Sequence, residues 1–292
     1  MPRPNALVGV LAAAVLCGCP PPPPPSQFPN GEAALDRMKA TYACANGIQG
    51  EGKIDHFGER GRVRGNVLLF AVNPARVRID VLSPFGAMLY TLTSNGDTFE
   101  MLDMQKKVMF HGPATPCNLA RMTQVEVPGH VLVWLLRGEA PLLKHDPQAP
   151  SIEWDGGDYV VNVPSVNDAS QRVHLQVYDD DWKLPWQKQR LRVTEVETVQ
   201  RGVTLYRAEL DNHEKASTLP PRKDEDGLAA EIPPSGGKCD VEVPRAIHLT
   251  VPHSGDDVVF QYEKVGFNPP IPSGAFSQEK PAGARKQFVT CK

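Results

Sequence analysis

The sequence lacks both an excess of charge and a long apolar run. Its 292 residues include 31 basic and 34 acidic side chains, a formal net charge of −3. Because a protein that binds phosphates needs a basic surface, this balance argues against nucleic acid as a partner. The apolar run over residues 6–16 has about eleven residues, whereas a helix needs about 20 to span a bilayer.

The usual catalytic and metal-binding signatures are missing too. There is no GxSxG elbow, no GxxxxGK[ST] loop, no HExxH motif and no CxxC spacing. We therefore expect no enzyme, no cofactor and no metal site. The acidic run Asp179–Asp181 resembles a cation site, but no spaced oxygen ligands surround it. We interpret it as a solvated hairpin turn.

The N-terminus carries a targeting segment. Arg3 precedes the apolar run, which ends in Leu16-Cys17-Gly18-Cys19. This order resembles a bacterial lipoprotein cleavage site, which has Leu, a variable residue, a small residue and then Cys. That resemblance implies a signal peptide over residues 1–18 and lipidation of Cys19. The alternatives are an ordinary secretory signal and a short helix with incidental cysteines. Cys17 fits lipidation less well because Leu16 before it is not small.

Six consecutive prolines follow the lipidation site. Residues 20–25 predict a stiff polyproline II spacer of roughly 19 Å, and residues 19–30 together form the lipidated tether. A disordered linker is the alternative, and either would hold the folded part off the membrane. Pro20 and Pro21 are not acidic, so resemblance to bacterial sorting signals implies the outer membrane, with the protein facing the periplasm.

Four cysteines remain after the signal: Cys44, Cys117, Cys239 and Cys291. An even number agrees with disulfides in an oxidising compartment. Four cysteines allow three pairings, and we favour Cys44–Cys117 with Cys239–Cys291 because each pair joins neighbours in chain order.

Short apolar runs between the many prolines and glycines predict a mainly β fold. In residues 76–82, Val77, Ile79 and Val81 alternate with polar residues. A turn at 83–86 places the bulky Phe85 at its tip, and a second strand ends at the hairpin turn Asn95-Gly96. Antiparallel strands with short connections predict a strongly curved sheet or an incomplete β-barrel.

Two helices interrupt this pattern. Residues 31–44 have an apolar stripe that includes Leu35, and Asn30 is placed as an N-cap. Pro128 opens and Gly138 ends a second helix that is apolar nearly all round and must be buried. We take residues 31–292 as one domain, with residues 211–244, rich in charge and proline, inserted as a mobile surface loop.

These features resemble the LolA/LolB-like carriers and outer-membrane lipoproteins. The similar motifs are Ser83-Pro84-Phe85-Gly86, Asn95-Gly96, Phe99-Glu100-Met101 and Phe267-Asn268-x-Pro with Phe276 and Pro281 beyond it. Together they cover about 46–138 and 258–283. The resemblance implies an incomplete barrel with a helical lid that holds the acyl chains of lipids or lipoproteins in an apolar cavity. The candidate lining is Val67, Leu69, Val77, Ile79, Val81, Leu89, Leu132, Trp134 and Leu135.

The resemblance also assigns a role to Phe85. It occupies the position where LolB-like proteins present a bulky residue, usually Leu, to the membrane. A Phe folded back on the sheet is the alternative, as a packed core is for the lining residues. A second hypothesis for the whole protein is a structural or assembly lipoprotein that uses the fold as a platform for a periplasmic protein partner.

Overall fold

Strands make up nearly half of the described chain. The computed structural model describes residues 21–58, 61–83, 85–123, 127–223 and 230–290. Its α-helices are α1 Gly31–Tyr42, α2 Pro116–Thr123 and α3 Gly129–Arg137. The strands are β1 Gly47–Gly58, β2 Gly61–Val72, β3 Arg76–Leu82, β4 Met88–Ser94, β5 Thr98–Asp103, β6 Val108–Pro113, β7 Ser151–Asp155, β8 Asp158–Pro164, β9 Ala169–Val177, β10 Leu191–Gln200, β11 Val203–Ser217, β12 Asp240–Val251, β13 Asp256–Phe267 and β14 Arg285–Phe288.

All fourteen strands belong to one sheet, in the order β14-β6-β5-β4-β3-β2-β1-β13-β12-β11-β10-β9-β8-β7. Neighbouring strands are antiparallel, except that β14 runs parallel to β6. The prediction of a mainly β, antiparallel fold with few helices is thus confirmed. The sheet is nevertheless open, with β14 and β7 at its edges, and it is neither closed nor strongly curled as the barrel prediction required.

The sheet consists of two meanders joined by one strand pair. Strands β1 to β6 form the first meander and β7 to β13 the second. β1 pairs with β13 along most of its length, with Ile48 opposite Phe267 and Phe57 opposite Asp257. Gly50 makes this junction possible, because a Cβ there would lie 2.4 Å from the Tyr262 ring.

Helix α1 packs against the second meander. The Asn30 side chain caps it by accepting a hydrogen bond from the Ala33 amide at 2.8 Å. Leu35, Met38 and Tyr42 are fully buried. The helix ends at Tyr42, two residues before the predicted end.

Helix α3 begins after Pro128 and ends at Gly138, as predicted. Gly138 has φ 88°, the left-handed conformation that glycine adopts at helix C-termini, and its amide contacts the Leu135 and Trp134 carbonyl oxygens. Val133 and Leu135 are buried. No helix in the described ranges combines the length and apolarity that a membrane crossing needs.

The predicted cysteine pairing is wrong. Cys44 is bonded to Cys239, 195 residues away in sequence and 5.2 Å away between Cα atoms. The bond joins the end of α1 to the start of β12, which the sheet brings together although the chain order does not. Cys117 is also disulfide-bonded, and Cys291 lies outside the described residues.

Two further expectations need correction. Residues 211–217 continue β11, and β12 begins at Asp240, so the predicted loop over 211–244 begins and ends in strand. The backbone ladder between β11 and β12 extends this hairpin although its sequence has few apolar residues. Asp181 is not solvated: it is buried, and its carboxylate accepts hydrogen bonds from the Arg190 guanidinium at 2.7 and 2.9 Å.

Candidate functional site

An apolar cavity of about 190 Å³ lies between the sheet and helices α2 and α3. Strands β1 to β5 and the paired strands β12 and β13 supply one wall, and the helices with the segment before α3 supply the other. Nearly all the side chains that line it are aliphatic or aromatic: Ile54, His56, Val63, Val67, Leu69, Ala75, Val77, Ile79, Val81, Tyr90, Leu92, Ser94, Met101, Leu119, Val127, Gly129, Leu132, Leu135, Leu136, Ile247, Leu249, Val258 and Phe260.

Most of the candidate lining residues meet at this cavity. Those on its wall are Val67, Leu69, Val77, Ile79, Val81, Leu132 and Leu135. Leu89 and Trp134 are not part of the lining. Both are half-buried, and Trp134 packs against the main hydrophobic core instead.

Part of the cavity wall comes from the far end of the chain and was not among the predicted lining residues. Ile247, Leu249, Val258 and Phe260 reach the cavity because β13 pairs with β1. Their alternation within β12 and β13 was visible in the sequence, but the strand to which β13 pairs was not. A local pattern can predict a buried face without saying which site that face completes.

One end of the cavity carries exposed apolar side chains. The β1–β2 and β3–β4 hairpins turn at the same end of four neighbouring strands. Val63 lines the cavity and is 37% exposed, while Phe57, Phe85 and Met88 are 61%, 97% and 39% exposed. We call Val63, Phe85 and Met88 the cavity mouth; Phe57 lies at the same end of the sheet, but it follows the lining residue His56 and so points to the opposite face of β1.

The turn that carries Phe85 is closed by local hydrogen bonds. The Gly86 amide donates to the Ser83 carbonyl oxygen at 2.9 Å, and the Ala87 amide donates to Ser83 Oγ at 3.1 Å. Gly86 has φ 82°, which suits glycine at the turn. Pro84 lies outside the described residues. Phe85 therefore projects from the turn instead of folding back on the sheet.

A polar pair borders the cavity beside the mouth. His56 is 3% exposed, and its Nε2 lies 3.1 Å from Asp256 Oδ1. Ser254 Oγ donates to the other carboxylate oxygen at 2.6 Å. The serine thus contacts the carboxylate and not the imidazole, whereas an activated serine nucleophile requires a contact with its base. This arrangement satisfies buried polar groups and offers a polar end to an otherwise apolar space.

A buried ion pair fixes the C-terminal end of α3. The Arg137 guanidinium pairs with the Glu139 carboxylate and donates to Asn73 Oδ1, and both charged side chains are buried. Burial raises the pKa of Glu139 to about 7, against the opposing effect of Arg137, and lowers the pKa of Arg137. The Tyr262 hydroxyl also donates to the Leu136 carbonyl oxygen at 3.1 Å. The helical wall is thus attached to the sheet by polar contacts.

Other predicted sites fall elsewhere. Cys19, the proposed lipidation site, lies outside the described residues. Within the described ranges, no group of three or more His, Cys, Asp or Glu side chains is arranged to hold a metal ion.

Comparison with known proteins finds similarity in structure alone. No protein-family model and no curated protein matches the sequence. A DUF1329 family protein from Desulfovibrio piger is 9% identical, with a TM-score of 0.51 over 85% of this chain and 95% of that one. At this identity the similarity shows a related fold and nothing about function.

Two further solved structures have TM-scores just below 0.5. One is a putative outer membrane lipoprotein-sorting protein domain from Vibrio parahaemolyticus, 10% identical, with a TM-score of 0.48 over 85% of this chain and 97% of that one. The other is a LolA superfamily protein from Nitrosomonas europaea, 9% identical, with a TM-score of 0.49 over 86% of this chain and 99% of that one. At these scores neither similarity carries an argument about this chain.

Proposed function

We propose that this protein is a lipid-anchored lipoprotein of the outer membrane, facing the periplasm, that binds acyl chains of lipids or lipoproteins in its apolar cavity. The observation that carries the proposal is the cavity between α3 and the sheet, with apolar side chains exposed at its mouth. Burial of an acyl chain is favourable by about 0.8 kcal/mol for each CH₂ group. No catalytic group is needed for this activity.

The size of the cavity limits how a ligand enters. Apolar cavities of about 150 Å³ bind a benzene-sized group. The space of about 190 Å³ would therefore take one segment of an acyl chain, with the rest passing through the mouth. His56 and Asp256, at the mouth end, would lie beside that outer part. Phe85 would contact the membrane or the acylated cargo there.

Native mass spectrometry tests this proposal. The chain from Pro20 onward, produced behind an ordinary cleavable secretion signal and purified without detergent, should carry added mass that matches a fatty acid or phospholipid. Leu132→Asp places a charge on the cavity wall and should abolish that mass. Leu89→Asp is the matched control, since Leu89 is also half-buried but lies outside the lining. It should keep the ligand.

A chain that stays free of ligand after incubation with lipid would overturn the carrier function. The protein would then act as a structural or assembly lipoprotein that binds a periplasmic protein. Crosslinking from residues 218–223 in cells would identify that partner.

A further inference from the structure

The proline-rich tether is bound to the domain. Pro21, where the described chain begins, contacts the β7–β8 hairpin: Trp154 Nε1 donates a hydrogen bond to the Pro21 carbonyl oxygen at 2.8 Å. A Cβ on Gly157 would lie 3.2 Å from Pro21 Cγ, so the glycine lets the proline ring approach the turn closely. Pro24 is buried. At least residues 21–25 therefore do not form a free spacer.

The residues after the prolines hold the segment in place. Ser26 Oγ accepts a hydrogen bond from the Trp186 amide at 3.0 Å, and the Ser26 carbonyl oxygen accepts one from Gln189 Nε2 at 3.0 Å. Phe28 is buried, with its ring edge-on to Tyr159 at 5.1 Å between centroids. These contacts fix the direction in which the proline run crosses the domain.

The side chains around Trp154, which contacts Pro21, are aromatic. Trp154 packs edge-on against Tyr159 at 5.0 Å and against Trp182 at 5.8 Å, and Trp186 lies 5.6 Å from Phe28. We call Trp154, Tyr159, Trp182 and Trp186 the tryptophan surface. Its three tryptophans are half-buried, although they stand near an edge of the sheet.

This combination has the chemistry of polyproline recognition. Proline has no amide donor, so its carbonyl oxygens are the only polar groups that a proline run offers. An indole N–H among aromatic rings satisfies such a carbonyl while the rings pack on the pyrrolidine faces. Domains that bind proline-rich segments use the same pairing of an aromatic groove with a stiff, extended ligand, which loses little entropy on binding.

We propose that the tryptophan surface is a polyproline-binding site and that its resident ligand is the chain's own run of prolines at 21–25. This site is separate from the cavity and does not rest on the carrier function. Where Cys19 is lipidated, docking has a geometric consequence. Two residues span at most about 7 Å, so the acylated cysteine stays near Pro21. The β7 edge of the sheet is then held beside the bilayer, not about 19 Å from it.

An attached ligand outcompetes one in solution. A short linker gives its segment an effective concentration in the millimolar range. A free proline peptide should therefore bind only when the chain's own prolines are removed. That difference separates a specific site from adhesion of a peptide to exposed tryptophans.

Tryptophan fluorescence of the full-length lipoprotein in detergent micelles measures this binding. The chain has four tryptophans, so Trp134→Phe leaves only the three of the tryptophan surface. In that background we replace residues 20–25 by alternating glycine and serine, and titrate with hexaproline. We expect a saturable shift in emission in the replaced chain, and no shift in the chain that keeps its prolines. A glycine-serine hexapeptide is the matched ligand control and should produce no shift.

Two substitutions in the replaced chain locate the site. Trp154→Ala should weaken hexaproline binding at least tenfold. Trp154→Phe keeps a ring but loses the indole donor, and should weaken binding about three- to tenfold, the effect of one hydrogen bond. Circular dichroism and the urea midpoint establish that each chain is folded. No saturable response in the folded, replaced chain would overturn the proposal, and so would equal responses with and without the native prolines.

Discussion

The side chain of Asn268 donates a hydrogen bond from Nδ2 to the carbonyl oxygen of Cys44, 2.8 Å away. Nδ2 also donates to the Gly237 carbonyl oxygen at 2.8 Å, and Oδ1 accepts from the amides of Asn46 and Gly47 at 2.7 and 3.3 Å. Asn268 is fully buried. One amide group thus joins the end of α1, the start of β1 and the segment before β12.

Asn268→Ala should cost about 3 kcal/mol in the free energy of unfolding. The substitution leaves several buried backbone groups without partners, and each unsatisfied group costs about 1–3 kcal/mol, with incomplete additivity. Asn268 also has φ 49°, a conformation that asparagine tolerates better than alanine. Urea unfolding measures the loss. Asn268→Asp keeps the acceptor but loses the Nδ2 donor, so it should be destabilising too; a loss below about 1 kcal/mol for Asn268→Ala would contradict this role.

The disulfide beside Asn268 should contribute about 2–5 kcal/mol. Cys44–Cys239 closes a loop of 195 residues, and the stabilisation from a crosslink rises with loop length. We expect the paired substitution Cys44→Ala/Cys239→Ala to lower the urea midpoint accordingly. This paired variant removes one disulfide alone, whereas chemical reduction would also break the disulfide of Cys117. An unchanged midpoint would show that the bond is dispensable.

Periodicity predicted the parts of the fold that depend on neighbours along the chain. Val173, Leu175 and Val177 alternate and are buried in β9. Proline at 128 and glycine at 138 bound α3 because their backbone preferences act locally. The resemblance-based choice of Val67 and Val77 placed them on one wall, because apolar residues that alternate in adjacent hairpins share a face.

Features that depend on contacts between distant residues were not predictable. Cys44 meets Cys239 only because β13 pairs with β1. Strand β14 pairs through backbone groups, and all four of its side chains are exposed, so its sequence shows no apolar alternation. The contact between Pro21 and Trp154 joins residues 133 positions apart, so predicting it requires knowing where both lie in the fold. Each case needs the tertiary fold before its local signal can be interpreted.

The Arg137–Glu139 ion pair should make stability depend on pH. Because burial raises the pKa of Glu139 from 4.5 to about 7, the folded state binds more protons than the unfolded state between these values. Stability from this group therefore falls as pH rises across that window, by up to about 3 kcal/mol. Arg137→Leu removes the partner charge. It should cost about 3–5 kcal/mol at pH 8, where Glu139 is ionised, and clearly less at pH 5.

A paired substitution is the control for the ion pair. Arg137→Leu/Glu139→Leu removes both buried charges and should recover most of the stability at pH 8, since apolar replacements of buried pairs are often neutral or better. It should also flatten the pH dependence between about 4.5 and 7. Urea unfolding at pH 5 and pH 8 gives both comparisons. An equal loss for Arg137→Leu at the two pH values would mean that the ionisation state of Glu139 does not change between pH 5 and pH 8.

The cavity mouth should drive attachment to membranes. Phe85 is 97% exposed, so Phe85→Ser should change the free energy of unfolding by no more than about 0.5 kcal/mol. Burying a phenylalanine ring in a bilayer is worth about 1.5–3 kcal/mol. We therefore expect the non-lipidated chain to bind phospholipid vesicles at least tenfold more weakly after Phe85→Ser, as measured by co-flotation. Phe57→Ser, at the same end of the sheet, should weaken binding in the same direction.

Val166→Ser is the matched control for the mouth. Val166 is 62% exposed and follows β8, far from β3 in the strand order, so its loss should leave vesicle binding unchanged. If Val166→Ser and Phe85→Ser weaken binding equally, the membrane contact depends on general surface apolarity and not on the mouth. If Phe85→Ser has no effect while the chain binds vesicles, the membrane-facing surface lies elsewhere. The tryptophan surface near the β7 edge would then be the next surface to vary, because a docked tether would hold it beside the bilayer.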